Sequence, residues 1–328
     1  MQSTERGNVD EYILAHCHES SGTIAAALGK DPANVRRAIR RLRTLHPELE
    51  WFEDVRQGKP VVAQSASRHK PIVVREGRIV PTVHEVIAGD FHVPYHDPAS
   101  VGCLLGYLHD TKPDGFTING DFSDFYACSS FSKDPRREFG LQDELDEANA
   151  ILDKIDDALP QGCVKRFVIG NHEARLERYM REHARAFHGL RSLSIDALFR
   201  LTERGYQIVP MIGRDASTRI GKVEVGHFNV ARKDSGASAR ALLLDRGCSV
   251  IQSHTHRLAA IYKRARGTGE QRAAWEVGCM CDLSPEYVTS PDWQSGFASI
   301  TKCEGSGRYH VALHEIIGGE LLAGGRRY

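Results

Sequence analysis

Asp90 and His92 stand two residues apart in the stretch AGDFHVPYHD, directly behind an apolar run. A carboxylate oxygen and an imidazole nitrogen leaving the end of one strand can converge on one point, where they make half of a divalent-metal site. The other half has to arrive from elsewhere in the chain. Four more polar clusters also follow strand-like runs: residues 119–124 (NGDFSD), 170–173 (GNHE), 226–227 (GH) and 253–256 (SHTH). Each is weak alone, because a lone histidine behind a strand is more often a core residue with its hydrogen bonds satisfied.

Such a set can act together only if strands end where the clusters begin. Apolar runs of strand length at 83–88, 115–119, 164–169, 222–225 and 249–252 meet that condition, with further strands expected at 276–278, 298–301 and 311–316. Between them lie helical patterns. One runs from Asp97-Pro98 to His109, and another carries Leu141, Leu145, Ala148, Leu152, Ile155 and Leu159 with its acidic side read as solvated surface. A third covers 174–188, with Arg175, Arg178, Arg181 and Arg185, and residues 127–137 read as a loop. Strands alternating with helices indicate an α/β core whose site lies at the carboxyl ends of the strands.

Ahead of this core, residues 9–45 predict three short helices. The second stops at Gly29, and Asp31-Pro32 supplies N-cap and first turn for the third. The third carries Val35, Ile39, Leu42 and Leu45 on one face, and Arg36, Arg37, Arg40, Arg41 and Arg43 elsewhere. The arrangement resembles a helix-turn-helix or winged-helix module, with Arg36, Arg37, Arg40 and Arg41 as the expected nucleic-acid contacts. Residues 1–50 hold seven Lys/Arg and seven Asp/Glu, so the module is polarised without being basic overall. The alternative use of such an appendage is docking or homodimerisation. Residues 51–82 read as short strands and turns, a wing or linker.

Across all 328 residues, 43 Lys plus Arg balance 43 Asp plus Glu, so net charge names no partner. No apolar run reaches the ~18 residues of a membrane span, and no secretory pattern opens the chain, so no membrane partner is expected. The eight cysteines contain no CxxC pair and read as reduced, mostly buried thiols of a cytoplasmic protein.

The order DxH, GDxxD, GNHE, GH, HTH is similar to that of the calcineurin-like metallophosphoesterase superfamily over roughly residues 83–328. The resemblance implies an αββα sandwich, with the helical winged-helix-like domain of residues 1–50 added to it. It also implies a two-metal site: Asp90, His92 and His256 on one ion, Asn171, His227 and His254 on the other, and Asp121 bridging. One bridging carboxylate would hold the ions ~3.5–4 Å apart, so that a shared hydroxide can attack phosphorus in line. Manganese is the expected metal, with iron, zinc or magnesium as alternatives. No thiolate appears in the set, which argues against a structural zinc site. His172 takes the family position for leaving-group protonation, and Asp124 the position that orients it.

Two departures stand out. Ser253 replaces the glycine of the usual GHxH, and Asp124-Phe125-Tyr126 replaces the DRG ending of the Ser/Thr phosphatases. Phosphate contacts therefore need other residues, and Arg175 and His96 are the candidates, with Arg232 and Lys233 behind them. Residues 278–297 also resemble phosphoesterases of phage and prophage genomes, where Tyr287 and Trp293 would wall the pocket. The expected activity is phosphodiester hydrolysis of DNA, a nuclease in a bacterial host or phage-infected cell. The alternative is a phosphomonoesterase acting on a phosphoprotein, nucleotide or small molecule.

Overall fold

The computed structural model describes residues 2–52, 77–130, 139–211, 217–264, 266–284 and 291–328. Contacts divide the chain into two units, Met1–Arg78 and Ile79–Tyr328.

The first unit holds α1 (Gln2–Ala15), α2 (Ser21–Leu28) and α3 (Pro32–Leu45). Ser20 caps α2 by accepting the Thr23 N–H at 3.1 Å, and Gly29 closes it at φ 58°. Asp31 Oδ1 accepts the Ala33 and Asn34 N–H groups at 2.8 and 3.2 Å, with Pro32 opening the first turn. Ile13, Ile24, Val35, Leu42 and Trp51 form the buried cluster. Leu45, expected on the apolar face, is 64% exposed. It is the last residue of α3, where the chain turns off at His46, so no further turn continues the packed face. The expected wing falls mostly outside the described residues. Just before it, Trp51 is core and the Phe52 N–H donates to the Cys17 carbonyl at 2.9 Å.

The second unit is built on two sheets. In the first, β1 (Thr82–Ala88), β2 (Gly115–Asn119), β3 (Val164–Val168) and β4 (Tyr206–Val209) run parallel. Beyond β1 it continues antiparallel through β10 (Ser295–Cys303), β11 (Tyr309–Ile317), β12 (Glu320–Ala323) and β13 (Arg326–Arg327). The second sheet has the order β5 (Ser217–Ile220), β6 (Val223–Gly226), β7 (Ser249–Gln252), β9 (Gln271–Val277), β8 (Leu258–Arg264), with β6, β7 and β9 parallel.

Period-2 alternation explains how both faces of each sheet are filled. In β1, Ile87 points between the sheets and packs with Val225, Ile251, Trp275 and Ile300. Its neighbours Val86 and Ala88 point the other way, into a cluster with Leu104 of α4 (Pro98–Thr111) and Leu152 of α5 (Leu141–Ala158). Outside the second sheet, Ala239, Leu242 and Leu243 of α8 (Ala237–Arg246) cover Val250 and Ala274. The result is a four-layer helix–sheet–sheet–helix arrangement. Each fully buried Phe, Ile or Leu in these layers contributes about 1.5–3 kcal/mol.

Two helices lie between β3 and β4: α6 (Glu173–His183) and α7 (Ile195–Phe199). The helix expected over 174–188 therefore ends early, and Arg185–Phe187 forms a 3-10 turn. Strand β8 escapes a hydrophobic-run reading because it is a sheet edge whose residues 262–264 are exposed Tyr, Lys and Arg. The solvated reading of the α5 acidic side fails at Glu144, which is 3% exposed.

Candidate metal centre

Five parallel strands end toward the centre, and each releases candidate ligands there. Asp90 and His92 follow β1, Asp121 and Asp124 follow β2, and Asn171 and His172 follow β3. From the second sheet, His227 follows β6, while His254 and His256 follow β7. Asp90, His92, Asp121, His254 and His256 all adopt positive φ, between 50° and 74°. That region costs a non-glycine residue about 1 kcal/mol or more, and such strain concentrates where side chains must be aimed at a site.

The ligand atoms of Asp90, His92 and His256 lie within 4.8 Å of one another, as do those of Asp121, His227 and His254. A further group, His92, Asp121 and His172, joins the two. His92 Nε2 faces His256 Nε2 at 3.1 Å, and His227 Nε2 lies 3.0 Å from both Asp121 Oδ2 and Asn171 Oδ1. His254 Nδ1 is 3.1 Å from His227 Nε2. Imidazole nitrogens about 2.0–2.1 Å from a common ion stand roughly 3 Å apart, so the facing pairs have ligand spacing. Asp90 Oδ1 is buried without a hydrogen-bond partner, although its other oxygen accepts the His254 N–H at 2.7 Å. An orphaned buried carboxylate oxygen among imidazoles fits a cation.

Burial and mutual charge move these groups far from their ordinary values. Burial raises the Asp90 carboxyl to about 8 against the pull of His227, with the Asp121 charge adding to the rise. Burial also opposes ionisation of Asp121, but the His172 and His227 charges prevail and hold it well below the usual carboxylate range. His227 is driven to about 9 because Asp121 and Asp90 outweigh its burial, whereas burial and the His227 charge press His254 down to about 4. Divalent cations among these groups would favour ionised carboxylates and neutral imidazoles together.

Behind the candidate ligands stand residues that aim them. Asp124 Oδ1 lies 3.2 Å from His92 Nδ1 and 3.0 Å from His172 Nδ1, so one carboxylate orients both rings. Arg175 donates to the Asp124 carbonyl at 2.8 Å and to His172 Nε2 at 2.8 Å. Gly170 is needed by close approach, since a Cβ there would lie 2.2 Å from Asp121 Oδ1. The Ser253 departure has a local account. Its hydroxyl accepts from Asn119 Nδ2 at 2.9 Å and occupies the space left by Gly89, where a Cβ would meet it at 2.5 Å.

Two carboxylates that hold the loop beside the centre escaped the sequence reading. Glu173 accepts the N–H groups of Asp121, Phe122, Ser123 and Gly170 at 2.7–3.1 Å, which fixes the loop after β2. Its position in GNHE was the available signal. Glu144 accepts from the Ser123 hydroxyl at 2.5 Å and from the Phe125 N–H, supporting the same loop from α5. Nothing in a helix rich in Asp and Glu singles it out.

His96 belongs to none of these clusters, and its ring lies 3.9 Å from Glu147. Arg232 and Lys233 are exposed. Trp293 packs edge-on against His256 with ring centroids 4.2 Å apart, while Tyr287 lies outside the described residues. No disulfide forms among the cysteines, and four of the eight are buried. Thiols do reach the edge of the centre. Cys279 and Cys281 group with His256, whose Nδ1 is 3.7 Å from Cys281 Sγ. In the first unit, Arg36, Arg37, Arg40 and Arg41 are all exposed on α3, and Arg41 pairs with Asp10.

Fold and site together define a two-sheet α/β protein with clustered candidate metal ligands at its strand ends. No family model matches the chain. The Gene 54 protein of Mycobacterium phage L5 is 27% identical over 256 residues, covering 74% of this chain and 96% of that protein. The Gene 54 protein of Mycobacterium phage D29 is 26% identical over 253 residues, covering 73% and 96%. Among solved structures, Vps29 from Entamoeba histolytica matches 75% of this chain and 98% of its own, at 14% identity and a TM-score of 0.38. YfcE, a phosphoesterase from E. coli, matches 70% and 98%, at 10% identity and a TM-score of 0.32. Among the described residues no helix is long and apolar enough to cross a membrane.

Proposed function

We propose that the chain is a metal-dependent phosphoester hydrolase of the calcineurin-like metallophosphoesterase type, and that it cuts DNA. The observation that carries the reading is the meeting of Asp90, His92, Asp121, Asn171, His227, His254 and His256 from five strand ends, with Asp121 adjoining both groups. In this reading Asp90, His92 and His256 hold one divalent ion, Asn171, His227 and His254 the other, and Asp121 both. Manganese suits the mixed nitrogen and oxygen donors. The ions would supply charge neutralisation for the phosphoryl oxygens and an acidified water as nucleophile.

His172 and Arg175 supply the rest. As placed, His172 Nε2 accepts from Arg175, so that nitrogen carries no proton to give. A phosphate that draws the guanidinium to itself frees Nε2. Burial works against a charge on His172, while the Asp124 carboxylate, 3.0 Å from Nδ1, works for one. Engagement of phosphate by Arg175 thereby lets Nε2 take up a proton from water, which His172 can then give to the leaving oxygen. DNA as the substrate is supported by the exposed arginines of α3. Similarity to phage proteins favours a phage-infected cell as the setting.

The test is a substrate panel with manganese: an aryl diester, an aryl monoester, and labelled single- and double-stranded DNA, each with and without chelator. Chelator-sensitive DNA cutting that disappears in His172→Ala is the expected result. Monoester turnover with DNA left whole would replace this reading with a phosphomonoesterase.

A further inference from the structure

The parallel strands of the second sheet have a second end, away from the histidines. Lys222, Ser249 and Gln271 stand where β6, β7 and β9 begin. Four strand residues at ~3.3 Å each separate that end from the candidate metal centre by at least on the order of 13 Å. A cavity of about 460 Å³ opens there, lined by Lys222, Tyr262, Trp275, Arg308 and Tyr309 among others.

Two properties of the groove point to its occupant. Three cations line it, Lys222, Arg272 and Arg308, against the single carboxylate of Glu270, which pairs with Arg272 at 2.6 Å. In its middle Tyr262 is 72% exposed and braced edge-on by the buried Trp275, with centroids 6.1 Å apart at 89°. Trp275 is held in turn against Tyr309, whose hydroxyl bonds the Ser249 hydroxyl at 2.6 Å. A fixed aromatic face set among cations suits a chain of alternating π faces and phosphates. A duplex keeps its bases stacked inside, out of reach of Tyr262, so the fitting ligand is single-stranded.

We propose that this groove binds a single-stranded segment of nucleic acid, one base stacking on Tyr262 and the phosphates running past Lys222 and Arg308. The proposal deepens the reading of DNA as substrate, since it gives the strand a hold remote from the point of cleavage. Its test needs no turnover.

Binding of a fluorescent oligothymidylate of about 12 nucleotides, within the site sizes of single-strand binders, would be followed by anisotropy in chelator across a salt series. The full-length protein would carry Arg36, Arg37, Arg40 and Arg41 replaced by Ala, so that α3 does not contribute. Tyr262→Ala should weaken binding about 10–100-fold, as expected for one lost base stack, while Tyr262→Phe keeps it. Lys222→Glu with Arg308→Glu should flatten the log–log salt slope by about 1.4, or ~0.7 for each phosphate contact. Aryl-diester turnover should stay unchanged in all these variants. Absent binding, or affinity and slope unchanged in both Tyr262→Ala and the charge-reversed variant, overturns the proposal. Binding that behaves as expected beside DNA left uncut keeps the groove and removes only the nuclease reading.

Discussion

Asp90 accepts the backbone N–H of His254 through Oδ2 at 2.7 Å, which ties the end of β1 in one sheet to the end of β7 in the other. The same carboxylate leaves Oδ1 buried among imidazoles without a hydrogen-bond partner. One oxygen thus locks the sheets in register, and the other is left for a cation.

Asp90→Asn separates these two jobs. The amide oxygen can still accept from His254, but the charge that holds an ion is gone. Bound metal, measured by elemental analysis, should fall, and turnover should drop by more than the ~10–100-fold typical of changes behind a metal ligand. The rise in thermal midpoint on adding manganese should shrink with it. Full metal content and full rate would remove Asp90 from the ligand set.

Asp124→Asn tests a positioning residue. It removes the charge that orients the His92 and His172 rings at 3.2 and 3.0 Å. Metal affinity or activity should fall about 10–100-fold. Because Asp124 helps to raise the His172 pKa against the effect of burial, its neutralisation should also move the alkaline limb of the pH–rate profile to lower pH. A rate loss with an unmoved profile would leave Asp124 a purely structural role.

Glu144 makes stability depend on pH in a definite direction. Burial raises its carboxyl from 4.5 to about 7, only partly offset by the bonds from Ser123 and Phe125. The folded state therefore holds the proton more tightly than the unfolded chain. Its contribution is fully favourable below about 4.5 and is lost as pH rises to about 7, by on the order of 3 kcal/mol. Glu144→Gln should lose this part of the slope, seen as a flatter stability difference from the parent between those pH values in chemical denaturation. Parallel curves for the two proteins would show that Glu144 does not titrate in this window.

Replacing Arg36, Arg37, Arg40 and Arg41 by Ala tests the α3 arc. Duplex DNA affinity should fall, and the salt slope should flatten by about 0.9 for each phosphate contact removed. Arg41 should contribute least, since Asp10 already holds it. Hydrolysis of a small aryl diester should continue at the parent rate. Unchanged duplex affinity would leave the first unit without a nucleic-acid role.

Much of the scaffold was legible because apolar periodicity is a local property. The strands β1, β2, β3, β6 and β7 and the polar residues that leave their ends can be read from runs of four to seven residues. So can the caps at Gly29 and Asp31, whose side-chain chemistry acts over two or three residues. The order of the ligand-type residues along the chain was likewise written in the sequence.

Only tertiary structure decided which carboxylates are structural and which face the centre. Glu144 and its solvated neighbours on α5 share the same residue chemistry, and it is the loop after β2, folded against that helix, that buries one of them. Glu173 became an acceptor of four N–H groups because two loops from different strands close around it. Tyr262 and the cations beside it came together across β8, β9 and the turns before β6 and β11, a juxtaposition with no period in the sequence. Local patterning settles which residues leave a strand's end. Where those residues meet depends on the pairing of strands far apart in the chain, and that pairing is settled only when both faces of each sheet are buried.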